Sequence, residues 1–99
     1  MIDLNVLENE VRDWSVKNWP AGGDPHKNMT KLVEELGELG RAMIRGESID
    51  IINAEGADVL ITLEHLLICL GGSLYEGVDY KWPIVRDRDP HSRHTPEHG

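Results

Sequence analysis

Glu34, Glu35 and Glu38 crowd one five-residue stretch, and Glu55 and Asp58 repeat the three-residue spacing further on. On a helix, positions three and four apart share a face, so Glu34 and Glu38, Glu35 and Glu38, and Glu55 and Asp58 are neighbours. Like charges placed this way destabilise an isolated helix by roughly 0.2–0.5 kcal/mol per pair. A divalent cation held between the two groups would reverse that cost. Oxygen-only donors suit a hard ion, Mg²⁺ or Mn²⁺, and Mg²⁺ is commonly shared with substrate phosphates. The chemistry that follows is cleavage of phosphate esters or anhydrides. A di-iron centre would need a His three residues after a Glu, and neither Glu35 nor Glu55 has one.

These side chains need two helices to carry them. At about 100° per residue from Leu36, the residues Met29, Leu32, Val33, Leu39, Gly40 and Met43 form one apolar stripe. Glu35 borders that stripe, Glu38 lies further round with Lys31 between them, and Glu34 points to the opposite face. On the later helix Ile51, Ile52, Val59, Thr62 and Leu66 share the side of Glu55, with Asp58 about 60° away. Carboxylates among apolar residues are costly to bury unless paired or metal-bound. That placement favours a cation site over an ordinary solvated helix face.

Helix signals frame the whole chain. Residues 3–18 carry a rough helical stripe of Leu4, Val6, Leu7, Val11, Trp14 and Ser15, with Asp3 or Asn5 as cap and Glu8 mostly off the stripe. Trp19-Pro20-Ala21-Gly22-Gly23 breaks the chain, and Asp24-Pro25 opens a second helix predicted to reach Arg45. Ser48 caps a third helix to about Leu70, stopped by Gly71-Gly72. It is apolar nearly all round, with only Asp50, Asn53, Ala57 and Glu64 as a thin polar edge, which predicts self-association. Ser73 and Glu76 have capping-box spacing for a fourth helix, which Pro83 should kink or end. The fold class is all-α: one helical domain over residues 1–88 and a tail over 89–99.

The 99 residues carry a net charge of −8, and residues 1–80 hold 15 acidic groups against 6 basic ones. Such a body argues against a nucleic-acid polymer as partner, because affinity for phosphate backbones comes largely from Lys and Arg. The one cysteine, Cys69, leaves no internal disulfide and points to a reducing compartment. Met1-Ile2-Asp3-Leu4 lacks the basic start and apolar run of a signal peptide, and no apolar run reaches the 18 or so residues of a membrane span. The expectation is a cytoplasmic protein that does not engage membranes.

Glu34-Glu35-Leu36-Gly37-Glu38, then 16 residues, then Glu55-Gly56-Ala57-Asp58 resembles the E-E-x-x-E … E-x-x-D signature of MazG-like nucleoside triphosphate pyrophosphohydrolases. Lys31-Leu32-Val33 before the first motif and Val59-Leu60-Ile61 after the second are similar too. The resemblance covers about residues 25–88. It implies a four-helix MazG-like bundle completed by homo-oligomerisation, as a dimer or tetramer. It also implies Mg²⁺-dependent hydrolysis of a (d)NTP between the α- and β-phosphates. By motif position the implied metal ligands are Glu35, Glu38, Glu55 and Asp58. Four carboxylates alone would serve either phosphate cleavage, so the position of the cut rests on the resemblance.

Glu34 or Glu38 is the candidate to orient or deprotonate the attacking water. The resemblance places basic residues after the third helix, where they would meet phosphates: Lys81, Arg86 and Arg88. Lys31 projects beside the acids. Pro83 departs from the family pattern and leaves the register of those contacts open. Trp14 reads as core, while Trp19 serves as core or as a nucleobase platform. His65 reads as a packing residue, Cys69 as inert, and His91, His94 and His98 as unassigned. The alternative to an enzyme is a non-catalytic acidic helical module that binds a basic partner.

Overall fold

The computed structural model describes residues 1–90. Each of its four helices begins where a side chain can satisfy free backbone N–H groups. α1 (Leu4–Asn18) starts at Asp3, whose carboxylate accepts from the Val6 amide at 2.7 Å. α2 (Pro25–Ile44) starts at Asp24, which accepts from the His26 amide at 2.9 Å, with Pro25 in the first turn, where its missing N–H costs nothing. α3 (Ile49–Cys69) is capped by Ser48. α4 (Leu74–Arg86) is capped by Ser73, whose hydroxyl accepts from the Glu76 amide at 3.1 Å. Gly46 and Gly71 end α2 and α3 at φ 68° and 80°, in the left-handed region that a side chain would strain.

α3 is the hub. α2 packs along it, while α1 and α4 pack on α3 and on each other. Among the described residues there is no strand, and no single helix is long and apolar enough to cross a membrane.

The packing corrects four expectations. First, the side of α2 that faces α3 runs through Asn28, Leu32, Glu35, Leu39 and Ala42, all at least half-buried. The stripe centred on Leu36 is turned away by about 80° at helical spacing. Met29, Val33, Leu36 and Met43 are 49–62% exposed. Glu35 therefore stands in the middle of the packed face instead of at its border.

Second, Glu64 is fully buried and makes no polar edge. Glu8 is buried as well, because α1 turns it toward the start of α4. Third, Trp14 is 48% exposed and does not belong to the core. Fourth, of the two effects expected of Pro83, ending the helix does not occur: α4 runs on to Arg86. Proline removes there only the one backbone hydrogen bond that its N–H would donate to the Asp79 carbonyl, with a single helical turn left to form. The tail expected over residues 89–99, with His91, His94 and His98, lies from residue 91 outside the described residues.

Only Val11, Ala42 and Leu66 are fully buried apolar residues among those described. The long apolar helix α3 still shows Ile51, Leu60 and Ile61 to solvent, and α4 shows Trp82, Ile84 and Val85.

Candidate functional site

α2 and α3 bring three acids together. One carboxylate oxygen each from Glu35, Glu55 and Asp58 lies within 4.8 Å of the other two. The pairing follows from the helix faces: Glu35 is central to the packed side of α2, and Glu55 and Asp58 sit one turn apart on α3. Glu35 and Glu55 are half-buried and Asp58 is exposed, so the cluster opens to solvent on one side. Lys31, one turn before Glu35, reaches back to it with Nζ–Oε1 at 3.2 Å. Its hydrogen bond to Glu35, followed by the charges of Glu35, Glu34 and Asp58, raises the Lys31 pKa.

Glu38 and Glu34 stand apart from this trio. Glu38 is exposed and ion-paired with Arg41, one turn along the outer surface of α2. Glu34 is exposed beside it. The two acids, with Lys31, Glu35 and Arg41, line a shallow groove of about 480 Å³ that starts at the cluster. Of the four ligands that the motif implies, three converge and the fourth is held by an arginine. Lys81, Arg86 and Arg88 lie on or just after α4, which does not touch α2. Arg86 pairs with Asp87 at 3.2 Å.

A second feature adjoins the cluster through Lys31. Trp14, Trp19 and His65 form a three-ring group. The two indoles meet edge to face at 5.2 Å, and His65 lies 5.5 Å from Trp14 and 4.9 Å from Trp19. Together with Asn28, Lys31, Ile61 and Thr62 they line a cavity of about 260 Å³. His65 is buried, and its Nδ1 lies 2.6 Å from the Ser15 hydroxyl. Burial lowers its pKa, so the ring is neutral at physiological pH. The reading of His65 as a packing residue holds in that it is buried and hydrogen-bonded. What the sequence concealed is that His65 also floors a cavity. Asn28 and Thr62 gave no signal at all, although Asn28 sits two turns before Glu35 on the same face of α2.

A different pair of acids lies away from this site. Glu8 accepts hydrogen bonds from the Ser73 hydroxyl at 2.6 Å and the Tyr75 amide at 2.9 Å, and Arg12 approaches it at 3.4 Å. Burial raises its pKa, but these partners outweigh burial and leave it below the usual carboxylate value. Glu64, with neither carboxylate oxygen hydrogen-bonded to a described residue, has its pKa raised by burial and then by the charge of Glu8.

Compared with protein-family models, curated proteins and solved structures, the chain matches none of them.

Proposed function

We propose that this protein is a MazG-like, Mg²⁺-dependent nucleotide pyrophosphohydrolase that cuts a (d)NTP into (d)NMP and pyrophosphate. One observation carries the reading: three carboxylates from two helices meet within 4.8 Å in a setting open to solvent. The donor set fits the ion. Octahedral Mg²⁺ with ligands at 2.0–2.1 Å needs oxygens about 2.9–4.2 Å apart, a small contraction of this cluster, and the open side leaves room for waters and phosphate. When bound, the ion would neutralise charge building on the phosphate oxygens.

The chain's own residues supply the rest. Glu35, Glu55 and Asp58 would hold the ion, and Glu38 would join them if Arg41 released it. Glu34 or Glu38, on the groove beside the cluster, orients the attacking water. Lys31 stands between the acids and the aromatic cavity, where it meets a phosphate. Trp19, with Trp14, offers the aromatic face on which a base stacks at a distance set by Lys31. Lys81, Arg86 and Arg88 would bind outer phosphates only across a subunit boundary, since α4 does not contact α2.

Assembly as a homo-oligomer belongs to the same proposal. Met29, Val33, Leu36 and Met43 follow one another at steps of 4, 3 and 7 along the outer face of α2, the heptad-like pattern of a helix–helix seam, and all are about half exposed or more. Contiguous exposed apolar residues on this scale mark interaction surfaces.

The experiment is a panel of NTPs and dNTPs in Mg²⁺, with products separated by chromatography. Pyrophosphate and monophosphate support the proposal. Orthophosphate with a diphosphate would refute the position of the cut, and no turnover together with no thermal stabilisation by millimolar Mg²⁺ or Mn²⁺ would favour the non-catalytic acidic module.

A further inference from the structure

His65 and Cys69 stand four residues apart on α3, so they share a face one turn from each other. Both line a recess of about 170 Å³ with Trp19, Gly22 and Gly23. Gly23 shows where their atoms point. A Cβ on it would collide with the Cys69 sulfur and stand 3.1 Å from the Asn28 Nδ2 and 3.8 Å from the His65 Nε2. Sulfur and Nε2 thus face one small space that a side chain at residue 23 would fill. His65 is more than nine-tenths buried, and Ser15 engages its Nδ1 at 2.6 Å. Its Nε2 hydrogen-bonds to no described residue. The sulfur has a partner of its own, the Asn28 Nδ2–H at 3.1 Å.

We propose that His65 Nε2 and Cys69 Sγ form a site for one thiophilic ion, Cu⁺, separate from the acidic cluster and independent of the nucleotide chemistry proposed above. Thiolate and imidazole are the softer donors that select such ions, as carboxylates select hard ones. Each donor also has the supporting contact that orients a metal ligand. With its proton on Nδ1 and donated to the Ser15 oxygen, the ring presents the Nε2 lone pair. The Asn28 N–H steadies the thiolate. Charge chooses the ion, because no acid among the described residues lines the recess. Cu⁺ on one thiolate is neutral there, and two donors are enough for it. Zn²⁺ would leave a net positive charge and need further donors to reach its tetrahedral set. As the sulfur–metal bond forms, the thiol proton leaves to solvent. His65 releases none, since burial lowers its pKa and keeps the ring neutral.

The test titrates the full chain with Cu⁺ under anaerobic conditions against the chromophoric chelator bicinchoninate. Proton release and alkylation of Cys69 by iodoacetamide are read alongside. One equivalent is expected to bind, to release one proton at pH 7 and to block alkylation. Cys69→Ala should abolish binding, and so should Cys69→Ser, which keeps an acceptor for the Asn28 N–H. Ser15→Ala loses the contact that orients the ring and should weaken binding about 10–100-fold. Gly23→Ala keeps both donors and needs no left-handed backbone, yet sets a methyl against the sulfur, so binding should be lost in a chain whose melting curve shows it folded. An equivalent retained by Cys69→Ala would put the ion on histidines elsewhere in the chain and overturn the proposal. Preference for Zn²⁺ over Cu⁺, or unchanged affinity in both Ser15→Ala and Gly23→Ala, would overturn it too.

Discussion

Two groups of acids lie between helices in this protein, and their surroundings treat them in opposite ways. Glu35, Glu55 and Asp58 meet at the edge of the α2–α3 seam with one side open and Lys31 at hand. Glu8 and Glu64 are closed off between α1, α3 and the start of α4. Glu8 is compensated three times over, by a hydroxyl, a backbone amide and an arginine. Glu64 is compensated by nothing among the described residues. The first group is open to solvent and has the Lys31 ammonium beside it. At Glu64 burial and the charge of Glu8 oppose ionisation, so the folded chain favours the neutral acid. An acid that solvent can reach is equipped to bind a cation; an acid pushed toward neutrality inside the fold is a packing liability.

The sharpest break of that contrast is Asp58→Asn. It removes a charged oxygen from the open cluster and touches no buried contact. If the cluster holds the catalytic ion, turnover should fall by about 10²-fold or more, since metal stabilisation of the transition state is worth several kcal/mol. Without added metal the thermal midpoint should stay the same or rise, because repulsion within the trio is relieved. Pyrophosphate release and a melting curve decide it, and unchanged turnover would remove the cluster from the mechanism.

At the closed group the corresponding change acts on stability alone. Glu8→Ala strips the Ser73 hydroxyl and Tyr75 amide of their acceptor and uncaps the join between α1 and α4. A loss of about 2–3 kcal/mol is expected from a buried hydrogen-bonded group and a weakened helix start. Its pH dependence has a definite sign. The folded pKa of Glu8 lies below its unfolded value, near 4.5. The stability it gives is thus present above that value and lost as pH falls through the depressed folded pKa. Urea melts at pH 7 and pH 3 should differ more for the native chain than for the variant.

Glu64 should behave in reverse. Its folded pKa is raised above 4.5, so its contribution is fully present below 4.5 and declines as pH rises through the folded pKa. Glu64→Met keeps the volume and removes both the charge and the unpaired oxygens. A gain of about 1–2 kcal/mol at pH 7 is expected, fading toward pH 4. A variant less stable than the native chain at pH 7 would mean that Glu64 has a partner in the folded protein.

The open half of this contrast was legible in the sequence and the closed half was not, and the difference has a physical reason. Asp3, Asp24, Ser48 and Ser73 announce their helices because capping is local chemistry, carried by one side chain and the next two or three amides. Glu35, Glu55 and Asp58 were legible because three- and four-residue spacing fixes a shared face. The rotation of α2 was not. Its Leu36 stripe is the more apolar one, yet the face through Asn28, Leu32, Glu35 and Ala42 packs on α3. Periodicity states that a helix has an apolar side, not which neighbour covers it, and in an associating chain a second copy competes for that side. The burial of Glu64 was hidden for a related reason, since a lone acid on an apolar helix reads as its solvent edge. The pairing of His65 with Ser15 across 50 positions leaves no local trace.

The smallest expected effect separates the two regions most finely. Lys31 is the cation beside the open cluster and has no counterpart at Glu64 among the described residues. Its ammonium is largely exposed, so Lys31→Met should leave the melting temperature nearly unchanged. The consequences lie in binding, and they have opposite signs. Removing the ammonium frees Glu35 and makes the trio more negative, so free Mg²⁺ should bind several-fold more tightly. A nucleotide in the presence of Mg²⁺ should bind several-fold more weakly, because a phosphate loses its nearest positive group. Both shifts should shrink as salt rises from 0.05 to 0.5 M, roughly from above to below the reach of a surface charge. Calorimetry with Mg²⁺ alone and then with Mg²⁺ and dCTP reads the two signs on one protein. If both affinities fell together, Lys31 would be acting on the fold of the site, and its role between ion and phosphate would have to be abandoned.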